Sequence, residues 1–131
     1  MSVNVIELAK ITDARGSLGF VETGKHVPFE IRRVFYIYGV PKGVKRGGHA
    51  HKKCKQMFIV LQGSADIATD DGKSKSIHSF SGPTEGLYVP ERTWVEMQNI
   101  SEGAVIIVMC SEHYDPDDYV KDYVLFIGEK P

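Results

Sequence analysis

The chain has 131 residues, 42% hydrophobic and 25% charged, with 16 Lys and Arg against 17 Asp and Glu and a formal net charge of −1. That length and apolar content suit one domain around one core. The charge balance leaves no basic surplus to hold a phosphate backbone, which excludes a dedicated nucleic-acid protein.

The N-terminus, Met1-Ser2-Val3-Asn4-Val5, has no basic stretch leading into an apolar one, so a secretory signal is not expected and a cytoplasmic location is. Apolar spacing broken by glycine and proline then predicts strands at Val3–Leu8, Ser17–Glu22, Ile31–Tyr38 and Gly48–Lys52. Further strands are predicted at Gln56–Thr69, Ser74–Phe80, Leu87–Val89, Trp94–Asn99 and Ala104–Ser111. Asp70-Asp71-Gly72-Lys73 reads as a hairpin turn in which the glycine supplies a positive φ. Only the tail from Pro116 to Tyr123 reads as a short helix, with Pro in the first turn and acids near the start. The apolar runs Met57–Leu61 and Ala104–Cys110 are far shorter than the roughly 20 residues of a membrane span.

Many short strands with evenly spaced turns fit an all-β barrel, a closed form that removes exposed edges. Met57-Phe58-Ile59-Val60-Leu61 is apolar on both faces, so that strand is expected between the lumen and a second layer or subunit. No repeat, linker or low-complexity tract marks a boundary, and residues 1–131 are read as a single domain. The only cysteines, Cys54 and Cys110, form neither a CxxC pair nor a disulfide framework and read as two reduced thiols.

The chemistry concentrates between Gly43 and Gly63. Side chains at i and i+2 of a strand share a face, so His49 and His51 project together, with Arg46 and Lys53 beside them. Gly43, five residues, His49-x-His51, then Gln56, six residues and Gly63 resembles the first motif of the cupin superfamily, with Gln56 where that motif has glutamate. Pro90 to Asn99 resembles the second motif, with Val95 in the histidine position. The resemblance implies a cupin, or double-stranded β-helix (jelly-roll), barrel. Two imidazoles and an amide make a poor site for zinc or iron, so no metal and no cofactor is expected and the histidines are left for proton transfer.

A closer resemblance spans nearly the whole chain. Asp13-Ala14-Arg15-Gly16-Ser17-Leu18, Ile31 to Ile37, Arg46 to Lys53, Gly86-Leu87-Tyr88-Val89-Pro90 with Trp94 and Glu96-Met97, and Tyr114 to Val120 resemble the WxcM-like cupin sugar 3,4-ketoisomerases. That family implies a metal-independent homodimer acting on a dTDP-linked 4-keto-6-deoxy sugar in the barrel mouth. It also implies a dehydratase upstream, a pyridoxal-phosphate aminotransferase downstream, and use of the product in a surface glycan such as O-antigen or S-layer.

Moving a carbonyl from C4 to C3 takes the proton from C3, passes through an enediol(ate), and returns a proton to C4. His49 is expected to be the general base, with His51 its partner in reprotonation or in orienting the sugar. Arg33, Tyr36 and Arg46 are candidates to stabilise the enediolate, and Arg33, Arg46 and Lys53 to bind the diphosphate. Arg15 is expected to reach the mouth from the N-terminal turn. Gln56 orients a histidine or bonds the sugar. Tyr36 or Trp94 stacks on thymine or lines the sugar pocket, with a core role for Trp94 equally open. Gly48 stands where the family has an aromatic residue, leaving room beside His49. The Arg15-Gly16-Ser17 turn resembles the branch producing dTDP-3-keto-6-deoxygalactose, with the gluco product as runner-up. A 3,5-epimerase and a non-catalytic binding cupin are the alternatives; the sequence places no His–Asp dyad of the kind those epimerases use.

Overall fold

The computed structural model describes residues 1–128. Two five-stranded antiparallel sheets face each other. The first runs in the order β1 (Asn4–Glu7), β9 (Glu85–Val89), β6 (Gln56–Gln62), β11 (Val105–Cys110), β4 (Arg33–Ile37). The second runs β12 (Tyr119–Val120), β5 (Arg46–His51), β10 (Trp94–Gln98), β7 (Ala65–Asp70), β8 (Lys75–Phe80). A separate hairpin pairs β2 (Ala9–Asp13) with β3 (Gly16–Phe20). This is the jelly-roll architecture expected of a cupin.

Strand alternation sets the core. Phe58 and Val60 of β6, Leu87 and Val89 of β9, and Ile106, Val108 and Cys110 of β11 point between the sheets and meet Ile67, Val95 and Met97 from the other side. The alternate residues Met57, Ile59, Tyr88 and Met109 face outward and are covered by Val27 and Phe29 of the 21–31 segment. The second layer expected over Met57–Leu61 is therefore supplied partly by the chain itself. Where that cover ends, a largely apolar groove of ≈620 Å³ remains between the β2–β3 hairpin and Ile59, Leu61, Ile107 and Met109.

Three expectations need correction. The predicted strand Gln56–Thr69 is two strands, divided at Gly63, whose φ of +76° turns the chain. Strand β2 was not predicted, because its residues are mostly exposed and it pairs only with β3. The predicted helix from Pro116 to Tyr123 is instead a 3₁₀ turn at Pro116–Asp118, the short strand β12, and then helix α1 at Tyr123–Gly128. Proline does open a helical turn, capped by the Asp115 side chain, which accepts from the Asp117 amide. The chain then leaves it because Tyr119 and Val120 pair with His51 and Ala50 on the edge of β5. Asp122 caps the real helix by accepting from the Val124 and Leu125 amides. The Asp70–Lys73 turn joins β7 to β8 as read, with Gly72 at φ +92° and the Asp71 side chain accepting from the Lys73 and Ser74 amides.

Candidate active site

The site is built on β5, between β10 and β12. A bulge separates the pairs His49↔Val95 and Gly47↔Glu96, leaving Gly48 as the extra residue. Both glycines have positive φ, +85° and +77°. A Cβ on Gly47 would lie 2.9 Å from the Val95 carbonyl oxygen, so the bulge requires glycine there. The bulge also shifts the alternation by one. Arg46 pairs with Met97 and His49 with Val95, both core-facing, so Arg46 starts from the face that His49 occupies, with its side chain exposed. A Cβ on Gly48 would meet nothing within 4 Å.

His49 and His51 share one face, their rings perpendicular with centroids 5.1 Å apart. His51 is 4% exposed and pairs through Nδ1 with Asp118 Oδ2 at 2.9 Å. Asp118 also accepts the Lys53 amide at 2.8 Å and the Cys54 amide at 3.3 Å. Burial raises the Asp118 carboxyl, but these N–H groups outweigh it and hold it below its ordinary value. With Nδ1–H committed to the carboxylate, the other nitrogen of His51, Nε2, is buried, has no hydrogen-bond partner and carries the lone pair. Burial, and next the His51 imidazole, push His49 down to about 4, while a bond to the Gly47 carbonyl opposes them. Burial thus favours the neutral form of both rings, and Asp118 orients His51 from behind.

The His51–Asp118 pair is a His–Asp dyad that the sequence alone did not place. The two residues lie 67 positions apart, and only the crossing of β12 over the edge of β5 joins them. His51, Cys54 and Asp118 place candidate metal-ligand atoms within 4.8 Å of one another. The Asp118 oxygens, however, are already spent on three N–H donors, so this donor set serves to hold the imidazole.

Arg33 enters from β4. Its guanidinium donates to Cys110 Sγ at 3.5 Å and lies 5.5 and 5.6 Å from the ring centroids of Phe35 and Tyr114. Gln56, 2% exposed, points at the same sulfur, with Nε2 3.7 Å from Cys110 Sγ. The neighbouring Cys54 thiol, with Gln56 and the Arg33 guanidinium, holds the Cys110 thiol below its ordinary value against burial. The Cys110 thiol and burial together raise Cys54. Both thiols are free, as the sequence implied.

Tyr119 completes the group, its ring centroid 4.9 Å from that of His49 and 4.4 Å from that of His51. Tyr114 packs against it at 6.0 Å. Asp118 and Tyr119 are the functional residues sequence reasoning missed as individuals. Their segment carries the family resemblance, but nothing local in it points to His51.

The structure thus gathers His49, His51, Arg33 and Gln56, with Arg46 at the rim. Lys53 lies just past His51, its side chain in a cleft with Arg32, Glu112 and Tyr114. Three expected residues lie elsewhere. Arg15 is at the β2–β3 turn, ion-paired to Asp13 at 2.6 Å and 89% exposed. Tyr36 is two faces of one strand away from the site: β4 turns Arg33, Phe35 and Ile37 inward, so Tyr36 points out, stacked on Tyr38. Trp94 precedes the core-facing Val95, so it points to the outside of its sheet and packs on Tyr123 and Phe126 of α1. Of its two readings the structure supports the packing one.

Comparison with known proteins gives the family. Residues 1–130 match the family model FdtA, described as WxcM-like, C-terminal. A TDP-4-oxo-6-deoxy-alpha-D-glucose-3,4-oxoisomerase from Aneurinibacillus thermoaerophilus is 41% identical over 94% of this chain and 88% of its own length. A mutant of the 3,4-ketoisomerase QdtA from Thermoanaerobacterium thermosaccharolyticum, in complex with TDP-4-keto-6-deoxyglucose, superposes with TM-score 0.94 at 38% identity, covering 98% of this chain and 93% of that one. The WlaRB TDP-quinovose 3,4-ketoisomerase from Campylobacter jejuni gives TM-score 0.93 at 40% identity over 97% and 98% of the two chains. The chain belongs to the FdtA family of WxcM-like proteins, and it is an isomerase of the 3,4-ketoisomerase class.

Proposed function

We propose that this protein converts dTDP-4-keto-6-deoxyglucose to dTDP-3-keto-6-deoxygalactose by proton transfer between its two histidines and the sugar, without a metal or cofactor. The observation that carries the reading is the His49–His51 pair, two desolvated imidazoles on one face of β5 with His51 oriented by Asp118. His49 takes the C3 proton; the C–H electrons form the C3–C4 double bond, and the C4 carbonyl oxygen becomes the second enediol(ate) oxygen. A proton returned to C4 then leaves the carbonyl at C3. His49 begins as a weak base because it is desolvated, but the anion developing beside it stabilises the imidazolium and offsets that burial.

The galacto product follows from ring stereochemistry. In the substrate the C3 hydrogen and, in the galacto product, the C4 hydrogen lie on the same face of the ring; in the gluco product they lie on opposite faces. A base pair confined to one wall favours same-face return, in keeping with the resemblance of the Arg15-Gly16-Ser17 turn to the galacto branch. Arg33 is assigned to the enediolate, and Arg46 and Lys53 to the diphosphate. Gln56 supports the pocket floor through Cys110.

Incubation with dTDP-4-keto-6-deoxyglucose in D₂O after chelator treatment tests the reading. NMR is expected to show a 3-keto sugar with deuterium at C4 in the galacto configuration. Deuterium at C5 would indicate a 3,5-epimerase, activity restored only by a divalent ion would overturn the metal-free mechanism, and an unchanged sugar would overturn the enzyme reading.

We also propose that the protein is a homodimer. The apolar groove beside the β2–β3 hairpin, with Leu18 58% and Leu61 44% exposed in one chain, supplies a surface for a second copy. Light scattering is expected to give twice the 14.6 kDa chain mass, and Leu18→Glu to lower it to one; a monomeric parent would overturn the proposal.

A further inference from the structure

The acceptor behind His51 is carried by a weak element. Asp118 stands immediately before β12, a strand of two residues whose pairing with the edge of β5 brings the carboxylate to the histidine. Two paired residues at a sheet edge do not hold themselves in place, and neither does the six-residue helix α1 that follows. What fixes both must come from the strands around them. Phe126 of α1 is 2% exposed, and the rings of Tyr123 and Phe126 pack on Trp94 of β10 with centroids 5.2 and 5.7 Å away. The polar tie is the Tyr123 hydroxyl, which donates to Asp70 Oδ2 at 2.5 Å.

Asp70 ends β7 directly opposite Trp94 of β10, so the two side chains share the outer face of the second sheet. A carboxylate on such a face is ordinarily left in water, yet Asp70 is 7% exposed, and burial of that degree requires donors. Among the described residues those donors are the Tyr123 hydroxyl and, at 2.8 Å, the Gly72 amide. A hydroxyl bonded to a carboxylate belongs to the short, charge-assisted class. Because the sheet runs β12, β5, β10, β7, this bond ties the continuation of the edge strand across two neighbours to an interior one.

We infer that Tyr123 is a positioning residue for the reaction: clasped to Asp70, it fixes the seat of β12 on β5 and, through it, the Asp118 carboxylate against His51. This rests on the histidine-pair reading above. His49 pairs with the core-facing Val95, whereas Tyr123 packs on the outward-facing Trp94, so the phenol lies across the sheet from the histidines and acts only through Asp118. Without the clasp α1 keeps its aromatic packing, but β12 is free to shift. A displacement of about 1 Å at a catalytic group is enough to cost up to about 10²-fold in rate.

Tyr123→Phe tests this, since it keeps the ring on Trp94 and removes the hydroxyl. Its kcat is expected to fall about tenfold, with TDP affinity within about twofold of the parent, because orientation and not binding is disturbed. In histidine labelled with ¹⁵N, the His51 Nδ1–H proton bonded to Asp118 is expected to exchange with solvent about tenfold faster. Asp70→Asn is expected to act in the same direction, and the double variant to fall no further than the lower single, since both remove one bond. Ile67→Val, which thins the core under β7 away from the clasp, is expected to lower the unfolding temperature and leave kcat and the His51 proton unchanged. That control separates position from stability. Circular dichroism reads whether each variant is folded, and Asp70→Asn carries the test where Tyr123→Phe is not. A kcat within twofold of an active parent, lost turnover with unaltered His51 proton exchange, or losses that add in the double variant would overturn this assignment alone. A parent without turnover would overturn the ketoisomerase reading instead, and exchange of the His51 proton would still report the positioning.

Discussion

Replacing His49 by Asn is expected to lower turnover about 10³-fold, within the range for loss of a general base, while TDP binds as before. Asparagine keeps the size and a polar end, but it has no group that accepts a proton near neutrality. Exchange of the C3 hydrogen with solvent should fall by the same factor, because that step precedes every later one. The unfolding profile provides a second readout. His49 is held at about 4 in the folded chain, against roughly 6.5 when unfolded. The unfolded chain therefore binds more protons between those values, so the parent's stability from this site is fully present above pH 6.5 and is lost as the pH falls towards 4. His49→Asn should flatten that part of the curve. A variant that exchanges and isomerises at the parent rate would remove His49 as the base.

Asp118→Asn is expected to cost about 10²-fold in turnover, the scale for losing a group that orients a functional imidazole, and about 2 kcal/mol of stability, the scale for hydrogen bonds to a charged acceptor. The carboxylate holds three N–H donors, the His51 side chain and two amides of the turn after β5, and an amide in its place turns an NH₂ group towards some of them. Without the carboxylate the Nδ1–H tautomer of His51 is no longer enforced, and its Nε2 is no longer committed as the acceptor. Burial already holds His51 below its ordinary value against the pull of Asp118, so the variant should move it further down in an NMR titration. The sign with pH is opposite to an uncoupled loss. Because Asp118 is held below its ordinary value, its contribution is present above the unfolded value of about 3.9 and disappears as the pH falls through the lower folded one. The stability gap between parent and variant should therefore narrow below pH 4. A gap that stays constant, with turnover unchanged, would reduce Asp118 to a loop cap.

These two residues differ in how they are read. His49 and His51 are legible because an i, i+2 spacing on a strand already fixes a shared face. Asp118 is not, since its segment has a proline and acids in the right order for a helix and the pairing of β12 with β5 decides otherwise. The same limit applies to the arginines and aromatics around the pair. Arg33 and Tyr36 look equally suited to an enediolate in a list of residues, yet three positions along a strand put them on opposite faces. Arg46 and His49 are also three apart, and there the Gly47–Gly48 bulge cancels the alternation and brings them together. Trp94 turns away because Val95, its neighbour, is needed in the core.

The sequence by itself determined an all-β barrel and the shared face of the histidine pair, since alternation and turn residues are local properties of the chain, and its motifs resembled those of the cupin 3,4-ketoisomerases. Only the tertiary structure decided that Asp118 backs His51, that Tyr119 packs against both imidazoles, and that the Arg33 guanidinium reaches Cys110 Sγ. Each of those contacts joins residues dozens of positions apart, and it exists because antiparallel registers between distant strands bring their side chains to one face of one barrel.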